Sequence, residues 1–330
     1  MGAGPGAHAH RAGRAREHLK VSAEHADPPA QALAQAGTVA QSAGSGDAAS
    51  ARTLDEAYAF CAELARSHYE NFTIASWLMP RAMRRHMYAI YAYARIADDF
   101  ADEDRDLGKL DEWERELDLA YAGAPRDRVF VALADTVRRF DIPREPFADL
   151  LRAFRSDVNF QGFETMDDLL GYARYSANPV GRLVLYLFGY RDGERQRLAD
   201  RVCSGLQLAN FWQDVAIDLD KGRIYLPRAD MAQFGVTAAD LRVHNADSNF
   251  AALMRHEVAC ARELLGAGAE LAAKVDRRLG RDVLMFAGGG LAILRAIERV
   301  DYDVFHRRPR LDKGDYLRLG WQAVRGRLGT

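Results

Sequence analysis

The chain has 330 residues, and its 45 Lys and Arg against 47 Asp and Glu leave a formal charge of −2. So even a balance argues against a general nucleic-acid binder, which carries a basic excess or stripe. A 48% apolar content is that of an ordinary core-forming protein. The three cysteines, Cys61, Cys203 and Cys260, are odd in number and form no C-x-x-C pair, which argues against a disulfide framework or zinc knuckle and for a reducing compartment.

Residues 1–50 hold 15 Ala and 7 Gly but no Phe, Trp or Tyr. A stretch without large side chains cannot bury enough apolar area to offset its ordering entropy, so a disordered tail is expected there and a single folded domain over 51–330. Arg11, Arg14 and Arg16 precede no apolar h-region, so no secretory signal is expected.

From Leu54 onward apolar residues recur at spacings of three and four. The pattern predicts helices over Leu54–Ala65, Arg81–Asp104, Leu110–Ala122, Arg128–Phe140, Phe147–Val158 and Met166–Leu187. It continues through Glu194–Asp220, Ala238–His244, Phe250–Leu279 and Asp282–Val300, with a short last helix over Lys313–Val324. Pro80, Pro125, Pro143, Gly189, Gly222, Pro227, Gly235 and Pro309 punctuate these segments. Arg223–Leu226 is the one short extended candidate. The fold class is therefore all-α. The most apolar stretch, Val283–Ile297, is interrupted by Gly288-Gly289-Gly290 and Arg295 and falls short of the about 18 uninterrupted apolar residues of a membrane span.

Two predicted helices carry acidic stripes. In Arg81–Asp104, Tyr91, Arg95, Asp98 and Asp102 are spaced by 4, 3 and 4 residues. At 100° per residue the ends of that series align within about 20°. In Glu194–Asp220, Gln207, Asn210, Asp214 and Asp218 are spaced by 3, 4 and 4, and are flanked by Leu206, Leu208, Phe211, Val215 and Ile217. Either stripe alone reads equally well as a solvated helix face. Together they ask for a counter-charge, because like charges at i,i+4 destabilise a helix and carboxylates among apolar residues cost free energy unless paired or metal-bound. Two rows of oxygen ligands suit Mg²⁺, which takes one or two carboxylates and completes its octahedron with phosphate oxygens and water. The rival di-iron reading needs Glu-x-x-His pairs, and the sequence has none.

These residues resemble a known family. Asp98-Asp99-Phe-Ala-Asp102-Glu103 and Asn210-Phe-Trp-Gln213-Asp214-Val-Ala-Ile-Asp218 are similar to the two aspartate-rich motifs of the squalene/phytoene synthases. Tyr91-Ala-Tyr93-Ala-Arg95 upstream and Arg223-Ile-Tyr225-Leu-Pro227 downstream extend the match over roughly residues 55–310. The resemblance implies the isoprenoid-synthase bundle, one all-α domain around a central apolar cavity. His68-Tyr-Glu-Asn71-Phe72, Arg174-Tyr175-Ser-Ala-Asn178-Pro179-Val-Gly181 and Leu206–Asp214 are similar to the hydroxysqualene synthase branch of bacterial hopanoid biosynthesis.

That branch implies conversion of presqualene diphosphate, supplied from farnesyl diphosphate by a sister presqualene diphosphate synthase, into hydroxysqualene. By resemblance, Asp98, Asp102, Asn210, Asp214 and Asp218 hold several Mg²⁺ ions. His68, Asn71, Phe72, Tyr91, Arg95, Gln207, Gln213, Arg223 and Tyr225 bind substrate, and Asp98, Asp102, Asp214, Asp218 and Tyr175 are catalytic. Phe72, Tyr175 and Phe211 are candidates to face the carbocation. Gln213 departs from the family, where Arg is common just before the second-motif aspartate, and Gly290 falls near a pocket tyrosine of dehydrosqualene synthases; both favour a changed substrate. No G-x-G-x-x-G follows a strand, and no nicotinamide cofactor is expected. Cytoplasmic placement follows, with at most peripheral contact at the inner membrane face. The other readings are condensation of two farnesyl or geranylgeranyl diphosphates, a reductive squalene synthase, and a non-catalytic helical assembly subunit.

Overall fold

The computed structural model describes residues 46–67, 79–311, 314, 315 and 319. The tail predicted over 1–50 therefore lies outside them up to residue 45, as do His68, Asn71 and Phe72 and most of the helix predicted over Lys313–Val324. Among the described residues every regular element is helical. In chain order these are α1 (Gly46–Ser67), α2 (Arg81–Asp102), α3 (Leu107–Tyr121), α4 (Arg128–Phe140), α5 (Glu145–Val158), α6 (Met166–Ser176) and α7 (Asn178–Leu187). Then come α8 (Gly193–Gln213), α9 (Val215–Asp220), α10 (Arg228–Gln233), α11 (Ala238–Arg242), α12 (Ser248–Gly268), a 3₁₀ turn (Ala269–Ala273) and α13 (Arg277–Arg299).

Two apolar cores hold them. The first joins α1 to α5 and α7 around Tyr93, Trp113, Phe130 and Phe147. Its rings meet edge to face, Trp113 on Phe130 at 4.6 Å and Tyr93 on Phe147 at 5.2 Å, the arrangement their quadrupoles favour. Both buried polar tips are satisfied by main chain: the Tyr93 hydroxyl donates to the Phe147 carbonyl and the Trp113 indole to the Tyr93 carbonyl. The Tyr58 hydroxyl of α1 makes a second buried junction with His86 of α2 and with Asp135 and Thr136 of α4. The other core packs α8 against α12 and α13 around Trp212, Phe250, Leu253 and Leu294. Val184 of α7 and Phe188, which follows the helix, touch both cores.

Small residues set the spacing in the second core. A Cβ on Gly268 of α12 would stand 2.7 Å from both the amide nitrogen and Cγ2 of Val202 on α8, so only glycine admits that approach. Gly290 of α13 likewise abuts Leu265 and Leu206; it packs helices together.

Three helices predicted as continuous are broken. Met166–Leu187 divides at Ala177, where Pro179 starts α7 without the amide a continuing helix needs; the buried Ser204 hydroxyl donates to Asn178 Oδ1 there. Gly181, in the first turn of α7, lies against Cys203 of α8. Phe250–Leu279 divides after Gly268, and α13 is capped by Asp276, whose carboxylate accepts from the amides of Arg278 and Leu279. Glu194–Asp220 divides at Asp214 (φ −108°, ψ 19°). The extended candidate Arg223–Leu226 pairs with no strand and leads into α10, a short helix that the periodicity missed.

Candidate active site

The acidic end of α2 and the region after α8 line one cleft of about 480 Å³. On α2, Arg95 pairs with the acids around it: Nη2 stands 2.5 Å from Asp99 Oδ1 and 3.6 Å from Glu103 Oε1, and Nη1 3.5 Å from Asp98 Oδ2. Tyr91, one turn earlier, is half-buried; burial raises its hydroxyl pKa, with Arg95 opposing. Beyond the helix, Arg105 adopts the left-handed backbone (φ 51°), and its Nη2 donates to the Val158 carbonyl at 2.7 Å, fixing the end of α2 to the end of α5.

On the other wall, the kink at Asp214 does not interrupt the stripe. The Asp214 amide still donates to the Asn210 carbonyl at 3.0 Å, and the Asp218 amide to the Asp214 carbonyl at 2.9 Å. After α9 the chain reverses through Gly222 (φ 73°). The Arg223 amide returns to the Asp218 carbonyl and the Gly222 amide to that of Leu219, a Schellman closure that requires the left-handed glycine. This reversal brings Arg223 across to α2, where its Nη2 meets Asp102 Oδ1 at 2.7 Å. The acids and Asp102 hold the Arg223 guanidinium firmly protonated despite its partial burial.

The fields of the two stripes overlap. Burial pushes the Asp98 carboxyl up to about 6, with Asp102 adding repulsion and Arg95 opposing. Asp218 is pushed up to about 6 by burial and by Asp214, with a further contribution from Asp102 across the cleft; Lys221 and Arg223 oppose. Asp214 is held by Arg308, and the Gln213 amide donates to the Pro309 carbonyl at 2.7 Å. Gln207 is half-buried and Asn210 exposed on the same helix.

Below the acids lies an aromatic layer. Tyr225 stacks on Phe211 with centroids 3.8 Å apart and planes 10° from parallel, and Phe160, Phe163 and Tyr172 surround the pair. Tyr175 is outside this layer. Its ring lies under the guanidinium of Arg152 at 4.1 Å, with that of Arg174 at 5.7 Å, so it faces cations of the protein itself.

Sequence reasoning missed two residues of the site. Asp157, at the end of α5, is 8% exposed and lines the cleft. Tyr172 donates to its Oδ2 at 3.0 Å, while Oδ1 has no partner. Burial pushes this carboxyl up to about 7, with Tyr172 and Arg223 opposing. A lone acid in an apolar-periodic helix gives no stripe to find. Arg308, in the segment after α13, lies 94 residues from Asp214 in sequence, and no local pattern links them.

The donor chemistry suits hard divalent cations together with a polyanion. Asp98 and Asp218 are carboxylates raised by burial and by neighbouring acids, a cost that a cation would relieve. Arg95, Arg105, Lys221 and Arg223 add fixed positive charge around the cleft that Asp98 and Asp102 line. Among the described residues no three His, Cys, Asp or Glu side chains close on a single point, so phosphate oxygens and water would have to complete any coordination shell.

The squalene/phytoene synthase family profile matches residues 65–315. The phytoene synthase of Arthrospira platensis is 32% identical over 273 residues, 78% of this chain and 88% of that one. The 15-cis-phytoene synthase of Synechocystis is 32% identical over 295 residues, 82% and 86% of the two chains. Among solved structures, the squalene synthase HpnC of Alicyclobacillus acidocaldarius is 43% identical, with a TM-score of 0.74 over 76% of this chain and 95% of that one. A dehydrosqualene synthase in complex with ligand is 27% identical, with a TM-score of 0.77 over 84% and 98%. The chain belongs to the squalene/phytoene synthase family, has its all-α isoprenoid-synthase fold, and is a prenyltransferase-type enzyme. No described helix is long and apolar enough to cross a membrane.

Proposed function

We propose that this enzyme converts presqualene diphosphate to hydroxysqualene, in the hopanoid branch of isoprenoid synthesis. The observation that carries the chemistry is the shared cleft, where Arg223 bridges from the second acidic motif to Asp102 of the first. The branch is supported by 43% identity to the squalene synthase HpnC, against 27–32% to the dehydrosqualene and cyanobacterial phytoene synthases.

In this reading Asp98, Asp102, Asn210, Asp214 and Asp218 hold Mg²⁺, directly or through water. When bound, the metal supplies Lewis-acid stabilisation of the diphosphate leaving group. Arg95 and Arg223 exchange part of their pairing with acids for the diphosphate oxygens, and Tyr91 and Gln207 orient its ester end. Their charge is fixed before the C–O bond breaks, so little reorganisation is needed as negative charge grows on the leaving group. The faces of Phe211 and Tyr225 lie next to the cationic carbon, each worth about 0.5–2 kcal/mol to a desolvated cation. The cyclopropyl cation rearranges, and water ends the reaction without a nicotinamide. The substrate comes from a sister synthase acting on farnesyl diphosphate. The greasy product leaves at a membrane surface, which the protein touches peripherally.

Product analysis tests the proposal. Purified enzyme with Mg²⁺ is given farnesyl diphosphate alone, then presqualene diphosphate alone. Alcohol from the second and no C30 product from the first is the expected result; a C30 hydrocarbon from farnesyl diphosphate alone overturns it. The phytoene synthase relatives favour a second reading, condensation of two prenyl diphosphates, which that outcome would establish. A switch from alcohol to hydrocarbon on adding NADPH would instead mark a reductive squalene synthase.

A further inference from the structure

We infer that Asp157 is the base that takes the proton from the water that ends the reaction, and that Tyr172 positions it. The inference rests on the water-terminated reading above.

Three observations place the residue there. Asp157 stands where the aromatic layer meets the acidic cleft: Phe160, three residues on, lines the same cleft and packs on Tyr225 at 5.0 Å. A cation leaving the diphosphate toward Phe211 and Tyr225 passes this point. Second, the two carboxylate oxygens are inequivalent. Oδ2 is fixed by the Tyr172 hydroxyl at 3.0 Å, and Oδ1 is buried without a partner. A buried acceptor left open costs about 1–3 kcal/mol, and a bound water would satisfy it. Third, Asp157 is not consumed by an ion pair. The nearby Arg223 is spent on Asp102, and Arg155 of the same helix on Asp111 and Glu114. A carboxyl pushed up to about 7 by burial suits a base that must accept a proton and return it to solvent each cycle.

The step balances. A lone pair of water forms the new C–O bond to the cation, and one O–H bond breaks as its proton passes to Asp157 Oδ1, leaving a neutral alcohol. Without this base the cation loses a C–H proton to the released diphosphate and gives an alkene.

The test uses the full-length enzyme with Mg²⁺ and presqualene diphosphate. It follows diphosphate release and the alcohol-to-alkene ratio together. Asp157→Asn is expected to lower the alcohol share by at least about tenfold and to slow diphosphate release much less. Tyr172→Phe, which frees the carboxylate without removing it, should shift the ratio in the same direction by a smaller factor. A wild-type alcohol share in both variants overturns the inference; so does a loss of alcohol in strict proportion to diphosphate release. Circular dichroism checks folding, and if Asp157→Asn fails to fold, Tyr172→Phe decides. Should the wild type make no alcohol from presqualene diphosphate, the functional reading fails first, and the variants are not at fault.

Discussion

Arg308 grips Asp214 with two parallel contacts, Nε to Oδ1 at 2.8 Å and Nη2 to Oδ2 at 3.1 Å. The guanidinium thus sits on the carboxylate that the second acidic motif places at its kink, and Gln213 holds the neighbouring Pro309 carbonyl. The segment after α13 is pinned to the end of α8 at the motif itself.

Because Arg308 is exposed and Asp214 only partly buried, that pair contributes only about 0–1 kcal/mol to stability. Its importance lies in competition for Asp214. Arg308→Ala is expected to leave the thermal midpoint nearly unchanged and to lower the Mg²⁺ concentration needed for half-maximal turnover. A higher metal requirement would show that Arg308 acts with the metal rather than in its place.

Removing the carboxylate charge is a harsher change. Asp214→Asn should reduce turnover at saturating Mg²⁺ by about 10²–10³, the range for deleting one preorganised electrostatic group. Turnover equal to wild type would remove Asp214 from the metal set. Arg223→Ala should cost a similar factor, because Asp102 then loses the cation that bridges the two walls.

Glu257 gives a pH prediction separate from catalysis. It is fully buried on α12 beside Asp230, and burial, with the charge of Asp230 and a side-chain hydrogen bond to it, pushes its carboxyl from 4.5 to about 8. Between those values the folded protein keeps a proton that the unfolded chain has released. Stability from this group therefore falls as pH rises through that window, by up to about 1.4 kcal/mol per pH unit. Denaturant midpoints at pH 5 and pH 8 should show Glu257→Gln close to wild type at the lower pH and more stable at the higher. Parallel pH profiles for the two proteins would rule this out.

Gly268→Ala tests the close helix contact. The added methyl meets the Val202 backbone at 2.7 Å, which cannot yield as a flexible side chain would. Overpacking of this kind costs about 1–3 kcal/mol, a fall in thermal midpoint on the order of 5 °C. An unchanged midpoint would show that α8 and α12 separate freely.

Sequence periodicity located the helices because burial on one face imposes a 3.6-residue repeat wherever a helix lies on a core. It misjudged where they stop. The breaks at Ala177 and Gly268 depend on local backbone and caps, and the kink at Asp214 leaves the apolar rhythm almost intact. The α2 stripe was legible for the same reason: Tyr91, Arg95, Asp98 and Asp102 share a face whatever surrounds them. Tyr175 was assigned from resemblance, and its ring instead meets Arg152 and Arg174.

The sequence by itself determined the all-α class, the two acidic stripes and the family they belong to, since each is written in residues close along the chain. Only the tertiary structure decided that Arg223 reaches Asp102, that Arg308 occupies Asp214, and that Asp157 stands open beside Tyr172 at the edge of the aromatic layer. Those pairings join segments 15 to 121 residues apart, and what brings them together is the packing of helices from two cores, which no local pattern encodes.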